Sequence, residues 1–426
     1  MPLFRSLIAG PWRAVLVLGV TQILAWGALF YPPVLTVPLI AAERGWSITF
    51  AMGGLSLALL TAGLASPRVG LLIDRYGGHR VMPAGSLLAA LGLVALVLAP
   101  HPAAYIVVWM LLGVAIAASL YDPAFSTLGR IFGAQARRPI TALTLVGGFA
   151  STVSWPATHF LIAMSGWRGT YLVYAALLAG VAAPLLAFAL PRMRAQSRSA
   201  DATDPGRARG AVLPPGGRPF VLLATAFAAY AFVPSGLSAH LLAIFGRADI
   251  DAGTVVTIGA LFGPAQVAAR IGELVFARQT HPLNVARFAV GMLLVACAML
   301  ALFGISVTAA AAFMVTFGMA NGLMTIARGA VPLALFGPAG YGHLMGRIGR
   351  AYLAMQAIAP LALAFAVERG SDAGVLAIIA GFALMSFAGL LSIRPPGGNQ
   401  RTPEQTPGQS KPSLNHERRG FTERKL

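Results

Sequence analysis

Three charged residues stand inside long apolar runs of this 426-residue chain, and each could do chemistry there. Asp122 lies in GVAIAASLYDPAFSTLGR, Arg270 in GPAQVAARIGEL and Arg328 in FGMANGLMTIARGAVPLALF. A charge at bilayer depth costs about 2.5–3.5 kcal/mol on insertion scales, so such residues face protein or a wet cavity. A guanidinium matches a carboxylate with two parallel hydrogen bonds, which makes Arg270 the leading anion-binding residue. The other reading of Arg270 is a side chain that, like Arg68, snorkels to the membrane surface. Asp122 and Arg328 occupy nearly matching places in the two halves of the chain. A pair that forms between them in one state and breaks in another is a gate, and an unpaired Asp122 can take a proton. The alternatives are a charge near the headgroups or a static structural pair. His159 and His240 are the remaining titratable groups at depth, each either a proton relay or a hydrogen-bonded packing residue. Asn321, Tyr31, Gln22, Gln356 and Trp155 are candidates for orienting contacts. The substrate-binding candidates are thus Arg270, Arg328, Asn321, Tyr31 and His240, and the proton-coupling candidates are Asp122, His159 and His240.

The elements that position these residues are membrane helices. The chain is 57% hydrophobic and 10% charged, against about 25% charged in ordinary soluble domains. Apolar stretches of roughly 18 residues or more are long enough to span hydrocarbon. Twelve are expected, near 14–38, 49–69, 81–100, 105–128, 140–163, 170–190, 219–244, 254–274, 283–303, 307–329, 346–367 and 374–393. The first of these holds Tyr31-Pro32-Pro33 rather than a cleavage site, so it is read as a helix and not as a signal peptide. One set of alternate loops carries only Arg44, Arg168, Arg247 and Arg369, while the other carries most remaining arginines and both lysines. Positive loops stay cytoplasmic, so both termini are expected there, in a multi-pass protein of the inner (plasma) membrane.

The same asymmetry accounts for the net charge of +18. The basic residues sit in short loops and tails beside an anionic leaflet rather than on a nucleic-acid-binding face. The single Cys297 offers no disulfide framework or cysteine metal site within one chain. No HExxH, GxSxG or nucleotide-binding glycine loop is found, and an enzyme is not expected. The expected partners are a small-molecule solute, protons and the lipid bilayer, with no cofactor, no metal and no nucleic acid, in a monomer.

The chain divides in two. Residues 191–218 are rich in Arg, Pro, Gly and Ser and read as a cytoplasmic linker between six-helix bundles at 1–190 and 219–394. Residues 395–426 read as a disordered polar tail. Ser66-Pro67-Arg68-Val69-Gly70 echoes Ala268-Ala269-Arg270-Ile271-Gly272 at an offset of 202 residues, which also carries Pro32 onto Pro234. A six-plus-six duplication is an architecture of secondary transporters, with the solute held between the halves.

Between the second and third spans stands GLLIDRYGGHR, Gly70 to Arg80. Its glycines, Asp74, Arg75 and Gly77 resemble the signature loop of the major facilitator superfamily, with Gly78 and His79 in place of the usual basic pair before Arg80. The resemblance covers about residues 12–393 and implies two pseudo-symmetric six-helix bundles that expose a central site to each side in turn. It implies that Asp74 docks against the start of the eleventh span and a basic residue near the end of the fourth, for which Arg130 is available. Gly70, Asp74, Arg75, Gly77, Arg80 and Arg130 would then form a conformational latch, the other reading being a topology loop whose charges face water. Gly45-Trp46-Ser47 and Gly166-Trp167-Arg168 further resemble loops of the monocarboxylate and oxalate/formate carriers. Those carriers place an arginine in the eighth span, which implies substrate contact for Arg270; monocarboxylate transporters have an aspartate four residues earlier, where Gln266 stands here. The expected function is secondary active transport of a small solute, such as an organic anion, with proton coupling; a transporter-like sensor that binds without moving solute is the alternative.

Overall fold

The structure, a computed structural model, describes residues 10–192, 216–248, 250–277, 279–369 and 372–395. Residues 193–215 of the expected linker and 396–426 of the expected tail lie outside the described residues. Every regular element among the described residues is helical. Among the described residues, eleven helical stretches are long and apolar enough to cross a membrane. One of them, Arg137–Ala189, has 53 residues, about 80 Å of helix against a hydrocarbon core of roughly 30 Å. Gly166 interrupts it at φ 66, a left-handed conformation that suits glycine. It therefore crosses twice, as the fifth and sixth spans, and the crossings among the described residues number twelve.

Large apolar side chains line the outer surface, among them Leu64, Phe160, Met164, Phe188, Phe276 and Leu302. In water such a surface would be an association site, whereas in lipid it is the solvated face. Packing between helices relies instead on close backbone approach through small residues. A Cβ on Gly113 of the fourth span would overlap the Ala58 carbonyl of the second. Gly318 and Gly322 of the tenth span approach the backbone of Phe262 and Gln266 in the eighth in the same way. The second and fourth helices of each half thus meet by one device.

Several spans are interrupted, and proline explains two of the breaks. The fourth span consists of Pro102–Ser119 and Tyr121–Phe132. Pro123 has no N–H to give the Ser119 carbonyl, and its ring would clash with that carbonyl in a continuous helix. The buried Gln22 of the first span takes the place of the missing donor: its Nε2 donates to Ser119 O at 2.7 Å and to Leu120 O at 3.2 Å. The eighth span parts after Ala260, four residues before Pro264, and resumes as Phe262–Phe276. The first span divides into Arg13–Leu29 and Pro33–Arg44 around Tyr31-Pro32. The fifth divides into Arg137–Gly147 and a helix from Ala150, around Gly148. These breaks bring carbonyls and polar side chains to the seam between the first six spans and the last six.

Candidate functional site

Along this seam three polar clusters join the halves. The first is Asp122 with Arg328. Asp122 sits in the first turn after the break in the fourth span, and Arg328 reaches it from the tenth span Val307–Phe336 in an ion pair, with side chains 11% and 12% exposed. Arg328 also lies over the Tyr352 ring of the eleventh span, 3.8 Å from its centroid, a cation–π contact. Its Nε is buried without a hydrogen-bond partner. Beside the pair is a cavity of about 50 Å³, lined by Trp26, Phe30, Leu59, Tyr121, Tyr352 and Gln356 among others. Trp26 is fixed there because its Nε1 donates to Gln22 Oε1 at 3.1 Å. The break in the fourth span and the cavity wall are therefore held by one glutamine.

The second cluster centres on Arg270. Its side chain is not at the membrane surface: the residue is 3% exposed, whereas Arg68, its counterpart in the repeat, is exposed. The guanidinium crosses the seam to the fifth span, where its NH1 donates to Thr144 O at 2.8 Å and packs against Gly148. Its NH2 donates to Gln266 Oε1 at 3.2 Å, an oxygen that also accepts from Asn321 Nδ2 at 3.1 Å. Tyr230 contributes a longer contact to Asn321 Oδ1 at 3.4 Å. Arg270 Nε is buried with no partner. The hydrogen-bond partners described for Arg270 are thus neutral. A buried charge without a counter-ion is expensive, and an arriving anion removes that cost.

An acid does stand close in sequence. Glu273, in the same helix, is buried and turns to Arg137 at the start of the fifth span, 2.7 Å away. Thr141 Oγ1 donates to its other oxygen at 3.1 Å, and Arg137 donates also to the carbonyls of Ala277 and Thr280. Arg137 therefore neutralises Glu273 and caps the end of the eighth span, leaving Arg270 unneutralised. The sequence expectation held Arg137 only as a topology charge and passed over Glu273, although an acid in an apolar run was the available signal.

The third cluster is at the Gly70–Arg80 loop. Asp74 Oδ1 accepts from the Gly342 N–H at 2.9 Å, and Oδ2 from the His343 N–H at 2.8 Å. These are free N–H groups in the first turn of the eleventh span, Tyr341–Arg369, so the carboxylate caps that helix and faces the positive end of its dipole. Arg130 donates to the backbone carbonyl of Asp74 rather than to the carboxylate. Gly70 and Gly342 face each other so closely that a Cβ on either would overlap the other's backbone. Gly77, at φ 83, ends the second span. Arg75 stacks on Tyr76 at 5.2 Å and Arg80 is exposed; neither is seen on the Asp74 carboxylate.

A twelve-crossing bundle closed by such a loop now has a family. The sequence matches the family model described as Major Facilitator Superfamily over residues 15–360. This chain belongs to the Major Facilitator Superfamily. It is a multi-pass protein of a transporter family. A rat (Rattus norvegicus) protein, Monocarboxylate transporter 3, is 31% identical over 177 residues, 40% of this chain and 35% of the rat protein. The matched region is about a third of that relative's length. The crystal structure of the human organic anion transporter MFSD10 (TETRAN) has the same fold, with a TM-score of 0.69 at 17% identity, covering 89% of this chain and 99% of that one.

Other sequence candidates fall elsewhere in this superfamily fold. His159 is exposed on the outer surface beside Phe160, and Trp155 faces the same way. His240 is held by the Pro360 carbonyl at 3.0 Å, outside the cavity lining. His159 and His240 thus take no part in the seam clusters described above, because the helical register turns one outward and packing fixes the other. Tyr31 lies at the break in the first span, within electrostatic reach of Arg270 and Tyr121. The motifs Gly45-Trp46-Ser47 and Gly166-Trp167-Arg168 meet at the opposite end of the first half. Glu43 accepts from Trp167 Nε1 at 2.8 Å and from Arg168 NH1 at 2.6 Å, while Arg44 lies over Trp46 and Trp167 at 5.0 and 5.3 Å. They tie the first span to the turn between the fifth and sixth.

Proposed function

We propose that this protein is a secondary carrier of a small organic anion, with a carboxylate of the solute bound at Arg270. The supporting observation is the buried guanidinium in the seam, with neutral partners and an unpartnered Nε. An anion there gains charge-assisted hydrogen bonds in a site already desolvated. The printed names of the rat and human relatives agree with that class. The carrier works by alternating access, in which the six-helix halves at 1–190 and 219–394 rock about this seam. In the state described here the Asp74 and Arg137–Glu273 contacts hold the loop end of the seam together. That end faces the cytoplasm of the cell, the side to which the arginine-rich loops assign it.

Counterflow in proteoliposomes tests the reading with formate, pyruvate, oxalate and succinate as probes. The parent is expected to exchange at least one of them. Arg270→Ala is expected to abolish that exchange, and Arg270→Lys to weaken it, because an ammonium lacks the two-pronged geometry. Exchange in Arg270→Ala equal to that of the parent contradicts the assignment.

A further inference from the structure

We propose that Arg328 is a second carboxylate-binding subsite, masked by Asp122 until that acid takes a proton. The inference rests on the Arg270 reading and extends it to the coupling of solute and proton. Both seam arginines carry a buried Nε with no partner, but they differ in what holds the rest of the guanidinium. Arg270 has neutral partners, while Arg328 is engaged by Asp122. The pair borders the 50 Å³ cavity, so an anion in an enlarged cavity would meet Arg328 directly. Tyr352 keeps the guanidinium in place from the other side through its ring at 3.8 Å, and that hold does not depend on Asp122 being charged.

The surroundings of Asp122 contain no second acid among the residues described. The tenth span presents Arg328, and the eleventh presents Tyr341 and Tyr352. Gly349 lies so close that a Cβ there would overlap Asp122 Oδ2. The first and second spans contribute Trp26, Phe30 and Leu59. Asp122 and the solute carboxylate therefore compete for one cation. When solute binds Arg328, the displaced Asp122 carboxylate is left in an apolar wall and takes a proton from water. At this subsite carboxylate and proton then bind together, and their charges cancel. At Arg328 neither binds well alone: the carboxylate without the proton meets a masked arginine, and the proton without the carboxylate leaves Arg328 unneutralised.

Isothermal titration calorimetry on the full chain in detergent, in two buffers of different ionisation enthalpy, counts the protons taken up per anion bound. Formate, pyruvate, oxalate and succinate serve as probes. The parent is expected to take up close to one proton per oxalate or succinate bound, the probes with a second carboxylate for Arg328 while the first is on Arg270, above the pH at which Asp122 is already protonated, and its affinity for them to fall about tenfold per pH unit there. Asp122→Asn is expected to bind with no proton uptake and a flat pH profile. Arg328→Gln is expected to lose the same uptake, and the double variant to resemble either single one. A merely structural pair would change thermal stability without changing the proton count. Uptake that persists in Asp122→Asn, or binding of oxalate and succinate to the parent without uptake at any pH from 5.5 to 8, overturns the masking. If no probe binds the parent, the Arg270 reading fails, and the masking that depends on it fails with it.

Discussion

At the scale of residues, the seam is governed by which charge has a partner. Arg137 answers Glu273 and Arg328 answers Asp122, while Arg270 is met by neutral groups. Gln22 is the uncharged residue on which most depends, because it satisfies the Ser119 carbonyl freed by Pro123 and holds Trp26 against the cavity. Gln22→Leu leaves the Ser119 carbonyl buried without its donor, at a cost of about 1–3 kcal/mol. A lower Tm of the detergent-solubilised protein is the expected outcome; an unchanged Tm means that the carbonyl finds another donor. The charges at Asp122, Arg270 and Arg328 were legible in the sequence because each interrupts an apolar run. Their partners were less so. Glu273 lies three residues from Arg270, where helical spacing allows the two to pair, and only the fold shows that it turns to Arg137 across the seam. The outward position of His159 was hidden for a related reason, since apolar residues surround it whether it faces protein or lipid.

At the scale of elements, two helix ends carry contacts between the halves. Asp74 caps the start of the eleventh span, and Arg137 caps the end of the eighth. Asp74→Asn removes the charge that faces the helix dipole, a loss of about 0.3–2 kcal/mol that shifts the balance of states roughly 2- to 30-fold toward opening at the loop end. Cysteine accessibility at that end, in a Cys297→Ala background, is expected to rise, and identical labelling of variant and parent opposes a latch. Breaking the Glu273 pair by Glu273→Gln leaves Arg137 partly buried with a neutral partner and is expected to open the same end. Gly70→Leu acts differently: its side chain has no room beside Gly342, so the two helices must part even with Asp74 intact. Twelve crossings were readable from hydropathy alone. The breaks within them needed the prolines to be set against specific carbonyls, as Pro123 is against Ser119 and Pro264 against Ala260.

At the scale of the whole molecule, the account requires the two sets of six helices to separate at the loop end when a carboxylate binds. Spin labels at Arg138→Cys and Gln279→Cys, both exposed positions at the facing ends of the fifth and eighth spans, report that separation in a Cys297→Ala background. Double electron–electron resonance on the reconstituted protein is the most direct measurement. The account predicts a short distance without solute, a second and longer population when an exchanged carboxylate is added, and no response to that carboxylate in Arg270→Ala. A distribution that no carboxylate changes in the parent, or one that changes equally in Arg270→Ala, would contradict it.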